Sequence, residues 1–508
     1  MRTLLITIFF CLEFLGHSFG QVSFDYLFGN SGNDYGTSVI QTFDGGYLIG
    51  GAIYNGNDSD IFIVRTNGTG DTLWTRVFSA PGNETVASLI QTADSGFAIL
   101  ADGSDSLYSH NILLLRIDSI GTLLWANKYG DGEDLPKAFV KTFDQGFCIA
   151  GSSNLLPGFS SRALIIKTNA DGDTLWTKKY FNGLLYSAGF DITQTLDSGF
   201  VILGALYQLD VSKPILIKLN ALGEPINNLT FDYTIDGKFI HAFTETGDGS
   251  FIITGYDYET PVNNGFFAKV DSSFQLSWLK LITPFNIQPS NVLVDKNGNY
   301  VFQGRYSSSV NFNNFIITTD TSGIILSAKS YPYAYCDYNN SFQQTADSGF
   351  VSCGTLFDSL GFNSRVAVIK INTHFDNCDI QPISIGDTMI SAISSSVLLD
   401  TLSGMAVAPA TFLVSRGCSQ YNYCPVTLIH PITNNQKYIS VYPNPSQNKF
   451  TFKVTETVKE IDIINLLGEL ILTVSKTEID LAPFPPGIYF YAIKTESGNL
   501  INGKLIKD

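Results

Sequence analysis

Beyond residue 20 the chain carries four histidines: His110, His241, His374 and His430. None stands at His-x-x-x-His spacing, and no Cys-x-x-Cys pair accompanies them, so the usual ligand spacing of a zinc site is missing. A histidine-based nucleophilic triad has as little to draw on, and His110 and His241 are expected near loops, facing solvent. Carboxylates are plentiful, and two of them could run acid–base chemistry on a glycosidic bond if the fold brought them together. Most recur in one setting, however: Asp44, Asp94, Asp144, Asp197, Asp248 and Asp347 each lie in a turn just before an aromatic residue. Recurrence within one chain implies a shared structural task, here the capping of a hairpin backbone.

Calcium is the one ion with any ligand set to offer. Asn169-Ala170-Asp171-Gly172-Asp173 and Asp131-Gly132-Glu133-Asp134 cluster the oxygens it prefers, but neither completes a binding loop, and the first reads as an ordinary inter-strand turn. No cofactor is expected, and no residue is nominated as catalytic or metal-binding. Among the cysteines, Cys148 and Cys353 occupy apolar strand positions and read as buried thiols. Cys336 has no obvious mate, while Cys378, Cys418 and Cys424 suit one disulfide in the segment that holds them.

The elements that position these residues form a repeat. TFDGGYLIGG, TADSGFAILA, TFDQGFCIAG, TLDSGFVILG, TGDGSFIITG, DKNGNYVFQG and TADSGFVSCG share a turn, an aromatic anchor and an apolar strand. The anchors are Tyr47, Phe97, Phe147, Phe200, Phe251, Tyr300 and Phe350. Each unit of about 50 residues holds four strand-like pieces separated by Gly, Asn or Asp, the pattern of a β-propeller blade. Trp74, Trp125 and Trp176 stand four residues before Phe78, Tyr129 and Tyr180 on the fourth strand. The seventh unit stops after its third strand, RVAVIKIN, and Phe24 and Phe28 near the start repeat that spacing of four. Residues 21–375 are therefore expected to form a seven-bladed β-propeller whose N-terminal strand closes the last blade, which removes exposed sheet edges.

Composition agrees with an all-β fold. The 508 residues include 45 Gly, 38 Phe and 24 Tyr, and only 15% are charged, the reverse of a disordered chain. A net charge of −16 argues against nucleic acid and against anionic lipid as partners. Residues 1–20, MRTLLITIFFCLEFLGHSFG, have the basic start, apolar middle and small residues of a signal peptide, with Gln21 as the first mature residue. No later apolar run is long enough to span a bilayer as a helix.

The spacings Asn67…Gly70…Trp74, Asp118…Gly121…Trp125 and Asn169…Gly172…Trp176 resemble those of quinone-dehydrogenase-like propellers, in which a tryptophan docks blade to blade. The gap from the first residue to glycine is three here rather than the four of that family, and units four and six lack the tryptophan. Sialidase Asp-boxes occupy a similar hairpin but with a glycine-to-tryptophan gap of three. The resemblance implies the fold alone.

Residues 376–436 break the repeat and read as a connector or small β module. Residues 437–508 alternate again and suit a small Ig-like β-sandwich of about seven strands. Pro443-Asn444-Pro445, the Asn465-x-x-Gly468 turn, Pro486-Gly487-Ile488-Tyr489 and the closing Lys504-x-x-Lys507 occur in order at the chain end. This stretch closely resembles the type A C-terminal sorting domain of the type IX (Por) secretion system of Bacteroidota. That resemblance makes Pro443, Asn444, Pro445, Gly468, Gly487, Tyr489, Lys504 and Lys507 the sorting signal. It also implies passage through the periplasm, an outer-membrane translocon and a sortase as partners, and a secreted or surface-anchored product. With eight lysines and eight acids the module is locally neutral, leaving Lys504 and Lys507 free to meet an acidic receptor. The functional expectation is an exported, non-catalytic propeller binding glycan or protein. A polysaccharide hydrolase or lyase with carboxylates at the propeller mouth is the alternative, as is a ligand-free structural surface protein.

Overall fold

The computed structural model describes residues 23–373 and 439–507 apart from scattered loop positions, together with the strands lying between 381 and 424. The signal-like leader lies outside the described residues, as do His374, His430, Cys378, Cys418 and the Asp131-Gly132 pair. Every described regular element is a strand, and contacts divide the chain into two compact units, Met1–Val426 and Thr427–Asp508.

In the first unit, each repeat folds into four consecutive antiparallel strands. Repeat one comprises Tyr35–Gln41, Tyr47–Tyr54, Ser59–Thr66 and Thr72–Ser79. The seventh sheet takes Cys336–Gln344, Phe350–Phe357 and Ser364–Ile371 from its own repeat and Phe24–Gly29 from the start of the chain. That N-terminal strand pairs in register, Phe24 with Lys370 through Phe28 with Val366. Its six residues are all buried, with Phe24, Tyr26 and Phe28 on one face and Asp25 and Leu27 on the other.

The segment expected as a connector or small β module adds a fifth strand to every sheet. Gln381–Pro382, Gly386–Met389, Ile393–Ser395, Asp400–Ser403, Val407–Pro409, Leu413–Ser415 and Ser419–Cys424 pair antiparallel with the fourth strands of repeats six, five, four, three, two and one, and then with Phe24–Gly29. The chain thus revisits the sheets in reverse order and covers part of each outer edge.

Apolar clusters join each sheet to the next, two further kinds of contact reinforce several of these junctions, and all three recur between the seventh and the first. Apolar clusters lie between consecutive sheets, and one of them unites Val39, Tyr47 and Ile49 with Val351, Val366 and Val368. Fourth-strand aromatics lie against a turn glycine of the following repeat: Trp74 on Gly121, Trp125 on Gly172, Trp176 on Gly223 and Trp278 on Gly323. These glycines have φ of 73–84°, and a Cβ there would fall 2.8–3.1 Å from the indole, so both conformation and space demand glycine. Phe24 and Tyr26 lie in the same way on Gly70 of repeat one. Finally, glutamines closing the first strands accept the turn N–H of the preceding repeat: Gln91 from Phe43 at 2.7 Å, Gln194 from Phe143 at 2.8 Å and Gln344 from Lys296 at 2.9 Å. Gln41 of repeat one accepts from Ala346 of repeat seven at 2.6 Å. The first strands touch one another successively, and the last of them touches Tyr35–Gln41.

The second unit packs a three-stranded and a four-stranded antiparallel sheet on one core that includes Phe450, Phe452, Ile461, Ile463, Tyr491 and Leu505. Phe452 and Tyr491 meet edge to face with centroids 4.8 Å apart.

Candidate functional site

The recurring aspartates are structural, and each works with a basic residue. In repeat one, Asp44 accepts from the Thr42 hydroxyl at 2.6 Å and from the Gly46 N–H at 3.3 Å, and Arg65 reaches both carboxylate oxygens at 2.6 Å. Arg116, Lys167, Lys218, Lys269 and Lys370 pair likewise with Asp94, Asp144, Asp197, Asp248 and Asp347. Partial burial opposes ionisation of Asp44, Asp144 and Asp347, but the hydroxyl, the turn N–H and the cation outweigh it and hold these carboxyls low. At Asp94, Asp197 and Asp248 the threonine hydrogen bond is itself the largest influence, again downward. In repeat six, Asp295 takes the threonine position and accepts from the Asn297 and Asn299 N–H groups at 2.8 Å. Two clefts of about 440 and 300 Å³ lie beside the Asp94–Arg116 and Asp44–Arg65 pairs.

A second recurring carboxylate escaped the sequence reading: Asp34, Glu84 and Asp134, each 50 residues apart. Asp34 accepts from the Asn30 N–H at 2.6 Å and Glu84 from Ala80 at 3.2 Å, while Asp134 lies against Gly130. All three are buried at the entry to a first strand. Burial raises the Asp34 carboxyl and pushes Glu84 up to about 7. The oxygens of the Asn169–Asp173 turn are likewise spent internally. Asn169 Oδ1 accepts from the Asp171 and Asp173 N–H groups, and its amide donates to Asp173 at 3.0 Å. Cys148 and Cys353 are buried free thiols.

Because seven repeats share one frame, each serves as a reference for the others, and departures from the shared residue type mark positions that architecture alone does not explain. Two such positions adjoin one another at the end of the first strands remote from the aspartate turns. One is the bulge in each first strand, occupied by Thr37, Ala87, Lys137, Phe190, His241 and Ser290 in repeats one to six. The other lies five residues past each anchor: Ala52, Asp102, Ser152, Ala205, Tyr256, Arg305 and Thr355. Small residues hold four of the seven second positions and half of the six bulges named, while Lys137, Phe190 and His241 depart at the bulge and Asp102, Tyr256 and Arg305 at the second position.

Two of these large side chains touch one another, and two more are held by neighbours in their own repeats. His241 and Tyr256 stack with centroids 5.2 Å apart and an interplanar angle of 15°. Arg305 donates through Nε to Gln288 at 2.7 Å, and His110 Nδ1 lies 3.0 Å from Asp102. Burial drives the His241 imidazole down to about 4, helped by the positive charges of Arg305 and of Lys137, two repeats away. His241 is nevertheless exposed, as expected, but it lies within the strand Lys238–Glu245 rather than on a loop. His110, expected to face solvent, is instead half-buried on a strand against Asp102. Burial also raises Asp102, and lifts Asp191, whose carboxylate accepts from the Ile192 N–H at 2.9 Å, to about 7.

In the second unit, Pro443, Asn444, Pro445 and Gly468 lie outside the described residues, and Lys504 is placed on the final strand. Gly487 has φ of 153°, a conformation that favours glycine although the space beside it is open. Tyr489 is buried and donates its hydroxyl to the Pro485 carbonyl at 2.5 Å. The expectation of a free Lys507 is corrected: its side chain is buried, and Nζ donates to the Leu481 carbonyl at 2.9 Å and to that of Phe484. The strand alternation that turns Leu505 inward turns Lys507 inward too. Residues 440–508 match the family described as the secretion system C-terminal sorting domain. The C-terminal unit is a sorting domain. It indicates export to the cell surface or secretion and implies handling by the type IX secretion system. No helix among the described residues is long and apolar enough to cross a membrane.

No curated protein matches the chain. Among solved structures, a eukaryotic initiation factor is similar at 10% identity and a TM-score of 0.34, covering 73% of this chain and 98% of its own. A biofilm matrix protein of V. cholerae is similar at 8% identity and a TM-score of 0.20, covering 96% of this chain and 87% of its own. Neither likeness carries an argument about this chain.

Proposed function

We propose that this chain is an exported seven-bladed β-propeller that binds a glycan or protein at the mouth of its central channel. Residues 1–20 are its signal peptide, and residues 437–508 are recognised by the translocon and removed by the sortase. The ring is supported by the three stitches that join sheet to sheet and recur between the seventh and the first. Closure by the N-terminal strand is the same inference, and the blade-docking tryptophans favour a quinone-dehydrogenase-like arrangement.

The observation that carries binding is the grouping of Asp102, Lys137, His241, Tyr256 and Arg305 at positions where most other repeats hold small residues. Seven copies of one architecture do not need a stacked His–Tyr pair in only one of them. A glycan array and a pull-down from surface extracts, run with the full chain and with Tyr256→Ala, test the reading. A ligand retained by the wild type and lost by the variant supports it; a ligand held equally by both, or empty results in both screens, would refute it.

A further inference from the structure

The end of the repeats remote from the proposed mouth carries its own departures from the shared frame. Strands one and three of each repeat end there, which places the two turns of a repeat side by side, and Gly68 of repeat one lies against the Gly45 carbonyl. In repeats one, three and four the residue before the turn aspartate is Phe43, Phe143 or Leu196, exposed by 71%, 57% and 93%. The same position holds Gly247, Lys296 and Ala346 in repeats five to seven. Ile120 and Leu222 add exposed apolar side chains from the other turns of repeats two and four, where repeats five and six hold Ser273 and Ser322. We infer that this end of repeats one to four docks a partner protein through a basic segment that bears apolar side chains.

Two clefts open between these turns. The one of about 300 Å³ is walled by Phe43 of repeat one and Ser119 of repeat two, and the one of about 440 Å³ by Leu124 of repeat two and Asp171 of repeat three. Leu124 is itself 54% exposed, so each cleft offers a solvent-facing apolar wall to an incoming side chain. Charge then selects the partner. The turn aspartates are matched by Arg65, Arg116, Lys167 and Lys218. Asp71, Asp118, Asp173 and Glu224, in the neighbouring turns, accept from neutral amides and hydroxyls instead, and among the described residues none of them has a basic partner. Asp171 is exposed beside them, and Lys141 on the larger cleft offsets one of these charges. The remainder is a negative potential among exposed apolar groups, complementary to lysine or arginine set beside leucine or phenylalanine. A second copy fits less well, because it would bring like charges together on a molecule of net charge −16.

The full chain is titrated, by fluorescence anisotropy, with three labelled synthetic peptides of equal length: alternating lysine and leucine, alternating lysine and serine, and alternating glutamate and leucine. The lysine–leucine peptide should bind, more weakly as salt is added, and the other two should bind at least roughly tenfold more weakly. Phe43→Ser combined with Leu124→Ser should weaken it about tenfold, and Asp171→Asn about two- to fivefold. Leu326→Ser, which alters an exposed leucine of repeat six, should leave binding unchanged. Thermal melts confirm that each variant is folded. Equal binding of the lysine–serine peptide, no binding of any peptide, or binding indifferent to the cleft variants would overturn the inference. Loss of binding in Tyr256→Ala alone would move the peptide to the mouth and overturn it as well. Self-association in sedimentation that the Phe43→Ser, Leu124→Ser protein lacks would assign the surface to a second copy and overturn the basic partner.

Discussion

The buried terminal lysine of the sorting domain makes a sharp prediction, because the sequence pattern treats Lys504 and Lys507 alike while strand alternation places them on opposite faces of the last strand. Lys507→Ala removes a side chain 7% exposed and deprives the Leu481 and Phe484 carbonyls of their donor. Hydrogen bonds to a charged group contribute about 1.5–3 kcal/mol each, and part of that is offset because the ammonium no longer has to be desolvated. A net loss of about 3 kcal/mol is a fair expectation. For a domain of this size each kcal/mol lowers the melting temperature by roughly 4–8 °C, so the sorting domain should melt at least 10 °C earlier. Calorimetry of the full chain follows the two compact units in one scan, and the transition of the larger unit serves as internal reference. Export of the variant should fall because the signal is no longer folded. Lys504→Ala should leave the melt in place, so any export defect it shows reports contact with the secretion machinery. An unshifted melt for Lys507→Ala would refute the reasoning.

Two further outcomes follow from the buried charges. Both Asp347→Ala and Asp44→Ala strand a buried cation, Lys370 at 1% and Arg65 at 5% exposure, but the Asp347 carboxylate is 24% exposed and that of Asp44 is 67% exposed and better screened, so Asp347→Ala should cost about 3–5 kcal/mol and Asp44→Ala clearly less; urea titration of both variants checks the ranking. Burial raises Glu84 to about 7, so its ionisation is a penalty on the folded state, absent below its unfolded value near 4.5 and complete above 7. Glu84→Gln should therefore gain stability over the wild type as pH rises from about 4.5 to 7, and a difference that stays constant across that window would contradict the assignment.

The aspartate turns and aromatic anchors were legible because their signals are local and repeated seven times. Phe24 and Phe28 could be read as a fourth-strand pattern for the same reason, once the frame was known. The strands of the 381–424 segment were not legible. Each is two to six residues long, too short to show a periodicity, and is defined by the edge it covers rather than by its own composition. The basic partners of the aspartates lie 21–23 residues downstream and acquire meaning only when the third strand folds beside the turn. Lys507 was misread because charge alone suggests exposure, while alternation along the last strand, with Leu505 inside, points it inward. At the proposed binding position the signal was present as non-recurrence. Comparing the repeats position by position exposes Lys137, His241 and Arg305, but only the folded strands show which neighbours each of them meets, as His241 meets Tyr256 and Arg305 meets Gln288.

The central claim is that seven sheets close into a ring through the N-terminal strand. Leu27 and Ala367 are register partners across that closure, as Val77 and Phe62 are within the first sheet. Paired strand residues bring Cβ atoms close enough for a disulfide. Leu27→Cys with Ala367→Cys should therefore oxidise to a disulfide about as readily as Val77→Cys with Phe62→Cys, read by mass spectrometry of peptides cut under non-reducing conditions. Oxidation of the second pair without the first would contradict the closed ring.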